Sequence, residues 1–290
     1  MSYAFIADRC ADLPVDACCR TMKVSRSAFF AWRHRQAHPT ARMLDDVELG
    51  ELVGKIHEQS FGTYGAPRVT AELRLGLGRR VNHKRVERIM REHGLQGVTR
   101  RRRAKGCTRS DAKDVRSDDL VHRQFRPTTA DRLWVQDVTQ HRTSEGWVYL
   151  AVVIDAWSRR VVGWSIADHM RAELVADAID MATWRRRPPA GAIAHSDHGS
   201  NYCSWVFGQR LRRAGLLGSM GTVGDALDNA VAESFFASLQ CELLDRHQWD
   251  TRTELARAMF HYIEAFYNPT RRHSTLGYLS PVDFETTGAA

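Results

Sequence analysis

The sequence predicts an α/β fold in its C-terminal half, a mixed sheet flanked by helices, preceded by an all-α helix-turn-helix region. Three observations carry this. Residues 133–139, 147–154 and 160–165 are rich in β-branched and aromatic side chains and are separated by turn signals, which marks hairpin-joined strands. From residue 172 onward, helical periods alternate with short apolar runs, as an α/β unit requires. Before residue 100 the punctuated periods are helical. With 290 residues there is room for about two domains, each with its own core.

In chain order, residues 15–34 read as a small helix-turn-helix, with Ser25 as N-cap and Phe29, Phe30 and Trp32 packing the final helix. His38, Pro39 and Thr40 stop it, closing a first segment over 1–40. Residues 45–59 form the next helix, with Leu44, Val47, Leu52 and Ile56 as candidate core positions. A turn punctuated by Gly62, Gly65 and Pro67 leads to a helix over 69–75, and Asn82 caps another over 84–93, ended by Gly94 and Gly97. These make a second unit over 45–104. Arg68, Arg85, Arg88 and Arg91 are its candidate phosphate contacts. A basic cluster follows, Arg100, Arg101, Arg102, Arg103 and Lys105, and runs into a polar linker over 105–125.

The formal net charge of +8 is unevenly held. Residues 1–130 carry 26 Lys and Arg against 15 Asp and Glu, a balance of +11, whereas residues 131–290 carry 16 against 19, a balance of −3. The N-terminal half therefore calls for a polyanionic partner, with a steep salt dependence. Cysteines at 10, 18, 19, 107, 203 and 241 show neither a CxxC pair nor a spacing suited to zinc, so no disulfide framework or zinc finger is indicated. No apolar run approaches the ~20 residues of a membrane helix, and the first residues lack the regions of a signal peptide. A reducing cytoplasm is the expected compartment.

In the C-terminal half three acids stand out. Asp137 interrupts the strand over 133–139, where an acid is disfavoured unless it has a role. The apolar run 192–197 delivers Asp197 at its tip and is stopped by Gly199. Residues 225–244 read as an amphipathic helix with Leu227, Val231, Phe235 and Leu239 as its stripe. Glu233 lies about 160° round from Val231 at ~100° per residue. Three unpaired carboxylates drawn together would repel, and a divalent metal is the usual remedy. Asp155 also ends a strand, but Ile154-Asp-Ala-Trp-Ser-Arg159 reads as a turn that it caps, so it stays outside the triad. Helices over 172–185 and 204–214, a strand over 216–220 and a terminal helix over 251–267 complete the region.

Trp134-Val-Gln-Asp137-Val-Thr139, His195-Ser-Asp197-His-Gly199-Ser-Asn-Tyr202 and Asp228-Asn-Ala-Val-Ala-Glu233-Ser-Phe-Phe236 together resemble the catalytic core of acid-triad transposases and retroviral integrases. Within these, the chain is most similar to the second-frame product (OrfB) of the IS-three family of bacterial insertion sequences. The stretch Tyr267-Asn-Pro-Thr-Arg-Arg-His273-Ser-Thr-Leu-Gly277-Tyr-Leu-Ser-Pro281 resembles that family's C-terminal signature. The resemblance implies a ribonuclease H-like core over 126–287 that cleaves DNA and transfers strands. It implies Asp137, Asp197 and Glu233 as catalytic ligands of two Mg²⁺ ions, with Mn²⁺ as a substitute. Double-stranded DNA, at the element's ends and at the target, is the implied partner. An upstream-frame product (OrfA), free or fused, and further copies of the chain on DNA are implied too.

Three departures from the pattern bear on DNA contact. Gln240 stands where relatives carry Lys or Arg, His198 replaces a more usual Arg, and Leu227 replaces a Trp. Gln240 is ~10.5 Å along the helix from Glu233 and keeps a DNA-facing role without the charge. None of the three is a metal ligand. Unlike retroviral integrases, the chain shows no zinc-binding N-terminal module. Two other readings remain at this point, a DNA-binding regulator or decayed element protein without chemistry, and a general ribonuclease H-like nuclease.

Overall fold

The computed structural model describes residues 2–99, 120–121, 127–197, 199, 201–220 and 230–288. At the N-terminus α1 (Ser2–Arg9), α2 (Val15–Thr21) and α3 (Arg26–Ala37) bury Ile6, Cys18, Cys19 and Phe29 in a small core of their own. The Ser25 hydroxyl accepts the Ala28 N–H at the start of α3. Helix α1 was not expected from the sequence. Ile6 is its one buried side chain, too little to set a period.

Next, α4 (Ala41–Gln59), α5 (Ala66–Leu75) and α6 (His83–Glu92) pack on one another. Thr40 caps α4, so the helix begins four residues before the expected Asp45. Its inward face also differs from expectation. Leu44 and Val47 are 57% and 62% exposed, and the buried seam is Leu49, Val53 and Ile56. That seam packs against Val69 and Leu73 of α5 and Val86 and Ile89 of α6, and Gly50 beside it leaves room for the His93 ring, since a Cβ there would lie 2.7 Å from His93 Nε2.

The C-terminal half holds a five-stranded sheet of order β3-β2-β1-β4-β5. The strands β1 (Leu133–Thr143), β2 (Gly146–Asp155) and β3 (Val161–Ala167) are antiparallel. The strands β4 (Ile193–Ser196) and β5 (Leu217–Met220) add parallel to β1. Alternation along β1 sends Trp134 to one face and Leu133 and Val135 to the other. Trp134 joins the core under α7 (Ala172–Arg186) and α8 (Trp205–Arg213). Leu133 and Val135 join that under α9 (Ala230–Glu242) and α10 (Arg252–His261). On the first face, Gly163 allows close approach of α7, since a Cβ there would lie 2.2 Å from the Ala178 carbonyl oxygen.

The second core does not stop at the sheet. Leu49, Val53, Val69, Leu73, Val86 and Ile89 of α4–α6 belong to the same buried cluster as Val231, Phe235 and Tyr267. Beyond α10, a π-helical turn over Tyr262–Tyr267 leads to the segment that resembles the family signature, and the chain closes with α11 (Pro281–Gly288). Asn268 accepts from the Val161 N–H and donates to the Val161 carbonyl, both at 2.9 Å, so it takes the place of a further strand at the sheet edge. Among the described residues no helix is long and apolar enough to cross a membrane.

Candidate active site

The register of two strands places the first two acids. Leu133 pairs with Ile193 and Val135 with His195 in the parallel ladder of β1 and β4. Two residues further, at the same step, come Asp137 and Asp197. Neighbouring strands lie about 4.8 Å apart, and positions of equal parity share a face. Asp137 has the parity of Leu133 and Val135 and leaves the sheet on the side α9 covers, while Asp197 is the first residue beyond β4. His195 holds this edge through its Nδ1, 3.0 Å from Ser219 Oγ on β5.

Helix α9 brings the third. Val231, Ala232, Phe235, Ser238, Leu239 and Glu242 make its buried face, and Glu233 stands exposed at the shoulder of that face. Residues 221–229, including Leu227 of the expected stripe, lie outside the described residues. Asp137 Oδ1 accepts its neighbour Val138 N–H at 2.7 Å, and Asp197 Oδ1 accepts the Gly199 N–H at 3.1 Å. Among the described residues no Lys or Arg forms a salt bridge with any of the three acids. Burial and the Asp197 charge push the Asp137 carboxyl up to about 7, with Glu233 adding to the rise and the Val138 N–H opposing it.

This shift has a testable sign. An unfolded Asp loses its proton near 3.8, whereas Asp137 in the folded, metal-free chain holds it to about pH 7. The group thus costs stability progressively as pH rises from about 4 to 7, and the cost is complete above that. Asp137→Asn in metal-free buffer is expected to raise the melting temperature at pH 8 and to leave it unchanged at pH 4. An equal difference at both pH values would show that Asp137 is not under this strain.

Asp155 does what its turn suggested. It is fully buried and accepts the N–H groups of Asp131, Trp157 and Ser158 and the Ser158 hydroxyl. Three of those bonds close the corner between β2 and β3, and the fourth, from Asp131, ties that corner to the start of β1.

The arginines nominated for DNA fall into different settings. Arg68 is bound to Glu242 at 3.0 Å. Arg85 pairs with Asp45 and Asp46, and Arg88 with Asp46 and Glu92. Arg91 forms no ion pair among the described residues and lines a groove of about 730 Å³ with Gly97, Thr99, Ser274 and Tyr278. Arg100, Arg101, Arg102, Arg103, Lys105 and His198 lie outside the described residues. Gln240 donates to Asp245, so a cation introduced at 240 would meet that carboxylate first.

The reading from sequence passed over two features. Tyr202 has its hydroxyl buried beside Asp137 and Asp197. Glu242 lies buried at the far end of α9, ion-paired with Arg271 at 2.7 Å. The signal for Glu242 was present, since Glu242, Leu239, Phe235 and Val231 share one helix face, but an acid on an apolar face says nothing of its partner.

Compared with known proteins, the integrase core domain family matches residues 127–226, a second integrase core domain family matches 233–288, and an HTH-like domain family matches 44–103. The chain is 39% identical over 290 residues to the transposase InsF for insertion sequence IS3A of Escherichia coli K12, covering 100% of both. This chain belongs to the IS3-family transposases. The transposase is also 37% identical over 252 residues to the transposase for insertion sequence element IS904 of Lactococcus lactis, covering 87% of this chain and 98% of the other. Among solved structures, the HTLV-2 integrase catalytic core domain in complex with magnesium aligns with a TM-score of 0.40 at 16% identity, over 54% of this transposase and 96% of that chain. The first integrase-core match ends at residue 226 and the second begins at 233, so Asp137 and Asp197 fall in the first and Glu233 opens the second.

Proposed function

We propose that this IS3-family transposase cleaves DNA at the ends of its element and joins the freed 3′-hydroxyls to target DNA, using Asp137, Asp197 and Glu233 to hold two Mg²⁺ ions. The observation that supports this is that Asp197, just beyond the end of β4, and Glu233, on α9, both act by charge on the buried Asp137 carboxyl of the adjacent strand β1. The donor set fits. Carboxylate oxygens are the ligands Mg²⁺ prefers, and an Asp137 strained by like charge is relieved when a cation arrives. Among the described residues no three His, Cys, Asp or Glu groups close round one metal position. Asp137 would be shared by the two ions, with Asp197 completing one position and Glu233 the other. When bound, the ions stabilise the attacking and leaving oxygens of an in-line displacement. The protein contributes rigid placement of its carboxylates and no covalent nucleophile.

The test is a duplex ending in the element's terminal repeat, incubated with the full chain and Mg²⁺. A nick that leaves a 3′-hydroxyl, followed by joined product, is expected, and a 3′-deoxy end should stop the joining alone. Cleavage that persists in EDTA, or a covalent protein–DNA adduct, would remove the proposal.

DNA affinity comes from cations away from the triad. Arg91 and the 100–105 cluster carry it, while Arg85 and Arg88 share their charge with Asp45, Asp46 and Glu92. Each phosphate neutralised contributes about −0.9 to the slope of log K against log salt. Arg91→Ala should make the full chain's slope shallower by about that amount. Arg85→Ala should change it less. Equal effects from both, read by fluorescence anisotropy, would mean that the ion pairs to α4 open on DNA. The upstream-frame product and further copies of the chain are the remaining partners in this reading, which places the reaction on DNA in the bacterial cytoplasm.

A further inference from the structure

Helix α8 presents a face that the proposed chemistry has not used. Its inner residues, Phe207 and Leu211, are buried with Trp134 in the core that α7 shares. On the outer side Trp205, Gln209 and Arg212 fall within about 60° of one another at ~100° per residue, with Arg213 next to them. Trp205 is 70% exposed. Arg212 and Arg213 are exposed and form no ion pair among the described residues, whereas Arg210 turns aside to Asp180 of α7 at 2.9 Å. No acid stands on α8, although this half of the chain has a balance of −3. Exposed Trp and Arg on one face are what interfaces favour, and cations without acids suit a polyanion. Gly208 lies between Trp205 and Arg212. A mid-helix glycine costs stability relative to alanine. Internal packing does not require it, since a Cβ there would meet only the flexible end of Arg212, at an ordinary 3.5 Å. Bare backbone at such a point lets a ligand approach closely. The face is thus a shallow saddle, with a ring at one end and cations ~10.5 Å along the axis at the other.

Position decides which DNA this saddle fits. The loop that leaves Asp197 leads directly into α8. A Cβ at Gly199 would stand 3.1 Å from Asp197 Oδ1 and 3.4 Å from Tyr202 Cδ2, and the Tyr202 ring stands edge-on to Phe207 at 5.4 Å between centroids. The first turn of α8 is therefore close to a member of the triad. The cationic unit α4–α6 belongs to the core on the other face of the sheet, with Leu133 and Val135. A duplex held by α4–α6 is thus on the far side of the sheet from α8, and strand transfer brings two duplexes to one site. Resting on the transposase chemistry proposed above, we propose that the outer face of α8 holds the target duplex, with Arg212 and Arg213 on its phosphates and Trp205 against the sugars of the same strand. Contacts of this kind position DNA and read little of its sequence.

The experiment uses the full chain with Mg²⁺ and a terminal-repeat duplex already cut to a 3′-hydroxyl, joined to plasmid DNA at increasing plasmid concentration. Cleavage of the uncut repeat is followed alongside. Trp205→Ala is expected to raise the KM for plasmid about 10-fold, with kcat recovered at saturating plasmid and repeat cleavage within about twofold of wild type. Arg212→Ala combined with Arg213→Ala should flatten the slope of log KM against log salt by about 1.8 units, for two phosphates. Gly208→Ala should raise the melting temperature, as alanine does in a helix, and still raise the KM for plasmid. If all these variants keep the wild-type KM while wild type cuts and joins, the role of α8 is lost and the proposed function stands. If repeat cleavage falls as much as joining does, α8 serves the element end or the site as a whole, and the target assignment is overturned. If wild type neither cuts nor joins, the proposed function fails and the inference with it.

Discussion

Asp137→Asn, Asp197→Asn and Glu233→Gln are each expected to lower DNA cleavage and strand transfer by about 10³-fold or more while leaving DNA affinity within about twofold. The isosteric amides keep volume and hydrogen bonding, so the fold stays intact and the change is one of charge. A 10³-fold loss corresponds to about 4 kcal/mol of transition-state stabilisation, within what bound metal ions supply to phosphoryl chemistry. Affinity survives because the phosphate contacts lie elsewhere, on the cationic N-terminal half. The three changes differ in one respect. Asp137 is the shared member and is also the strained one, so its amide alone should raise metal-free stability at pH 8. Wild-type cleavage by any of the three in Mg²⁺ would break the triad assignment. An unaltered chain that binds terminal repeats and never cuts them would return the regulator reading.

Arg271→Ala should cost about 3–5 kcal/mol of folding stability, because it strands a buried carboxylate. Glu242 is 5% exposed and Arg271 2%. The guanidinium reaches Glu242 Oε2 through Nε and Oε1 through a terminal nitrogen, both at 2.7 Å, and the same terminal nitrogen donates to Ser238 Oγ at 3.0 Å. Tyr262 donates to Oε2 at 2.8 Å, and Arg68 to Oε1 at 3.0 Å. Burial alone would raise the Glu242 carboxyl, but the Arg271 bonds and charge, with Arg68 behind them, hold it below the usual carboxylate range. Its stabilisation is therefore complete above the ordinary value of 4.5 and lost as pH falls through the lower folded value. Urea midpoints at pH 7 measure the loss. A double change, Glu242→Leu with Arg271→Met, should lose less than the sum of the single changes, since no charge is then left buried. Additive losses would show that the pair is not coupled.

This cluster also explains what the C-terminal signature does. Glu242 and Glu233 lie nine residues apart on α9, about 13.5 Å along its axis. The clamp fixes the C-terminal end of α9, the helix that carries Glu233 at its other end. Arg68 joins it from α5, and Tyr64 of the loop before α5 accepts the Arg272 N–H at 2.7 Å and donates to the Thr270 carbonyl at 3.2 Å. Arg272 in turn reaches Glu72 at 2.6 Å. The α4–α6 unit is thus tied to the core through residues Thr270, Arg271 and Arg272. Arg68 serves that joint, although its position in a basic unit had suggested phosphate.

Local pattern was enough for most of the chain. Strand composition located β1 to β3, caps at Ser25 and Asn82 began their helices, and Asp137 drew attention by standing in mid-strand, where an acid is disfavoured. Periodicity also recovered Val231, Phe235 and Leu239 as the inner face of α9. These depend on a few neighbouring residues, and such information lies within one short stretch of chain. Which face of α4 turns inward, and which oxygen each arginine meets, depends on residues tens to hundreds of positions away. The packing of Leu49, Val53 and Ile56 against α5 and α6 decided the first, and Glu242 against Arg68 and Arg271 decided the second. The triad stands between these cases. Its proposed members could be named from their own surroundings, but that the strands carrying Asp137 and leading to Asp197 are neighbours follows from the parallel β1–β4 pairing, which is set by the ladder and by the packing of both faces.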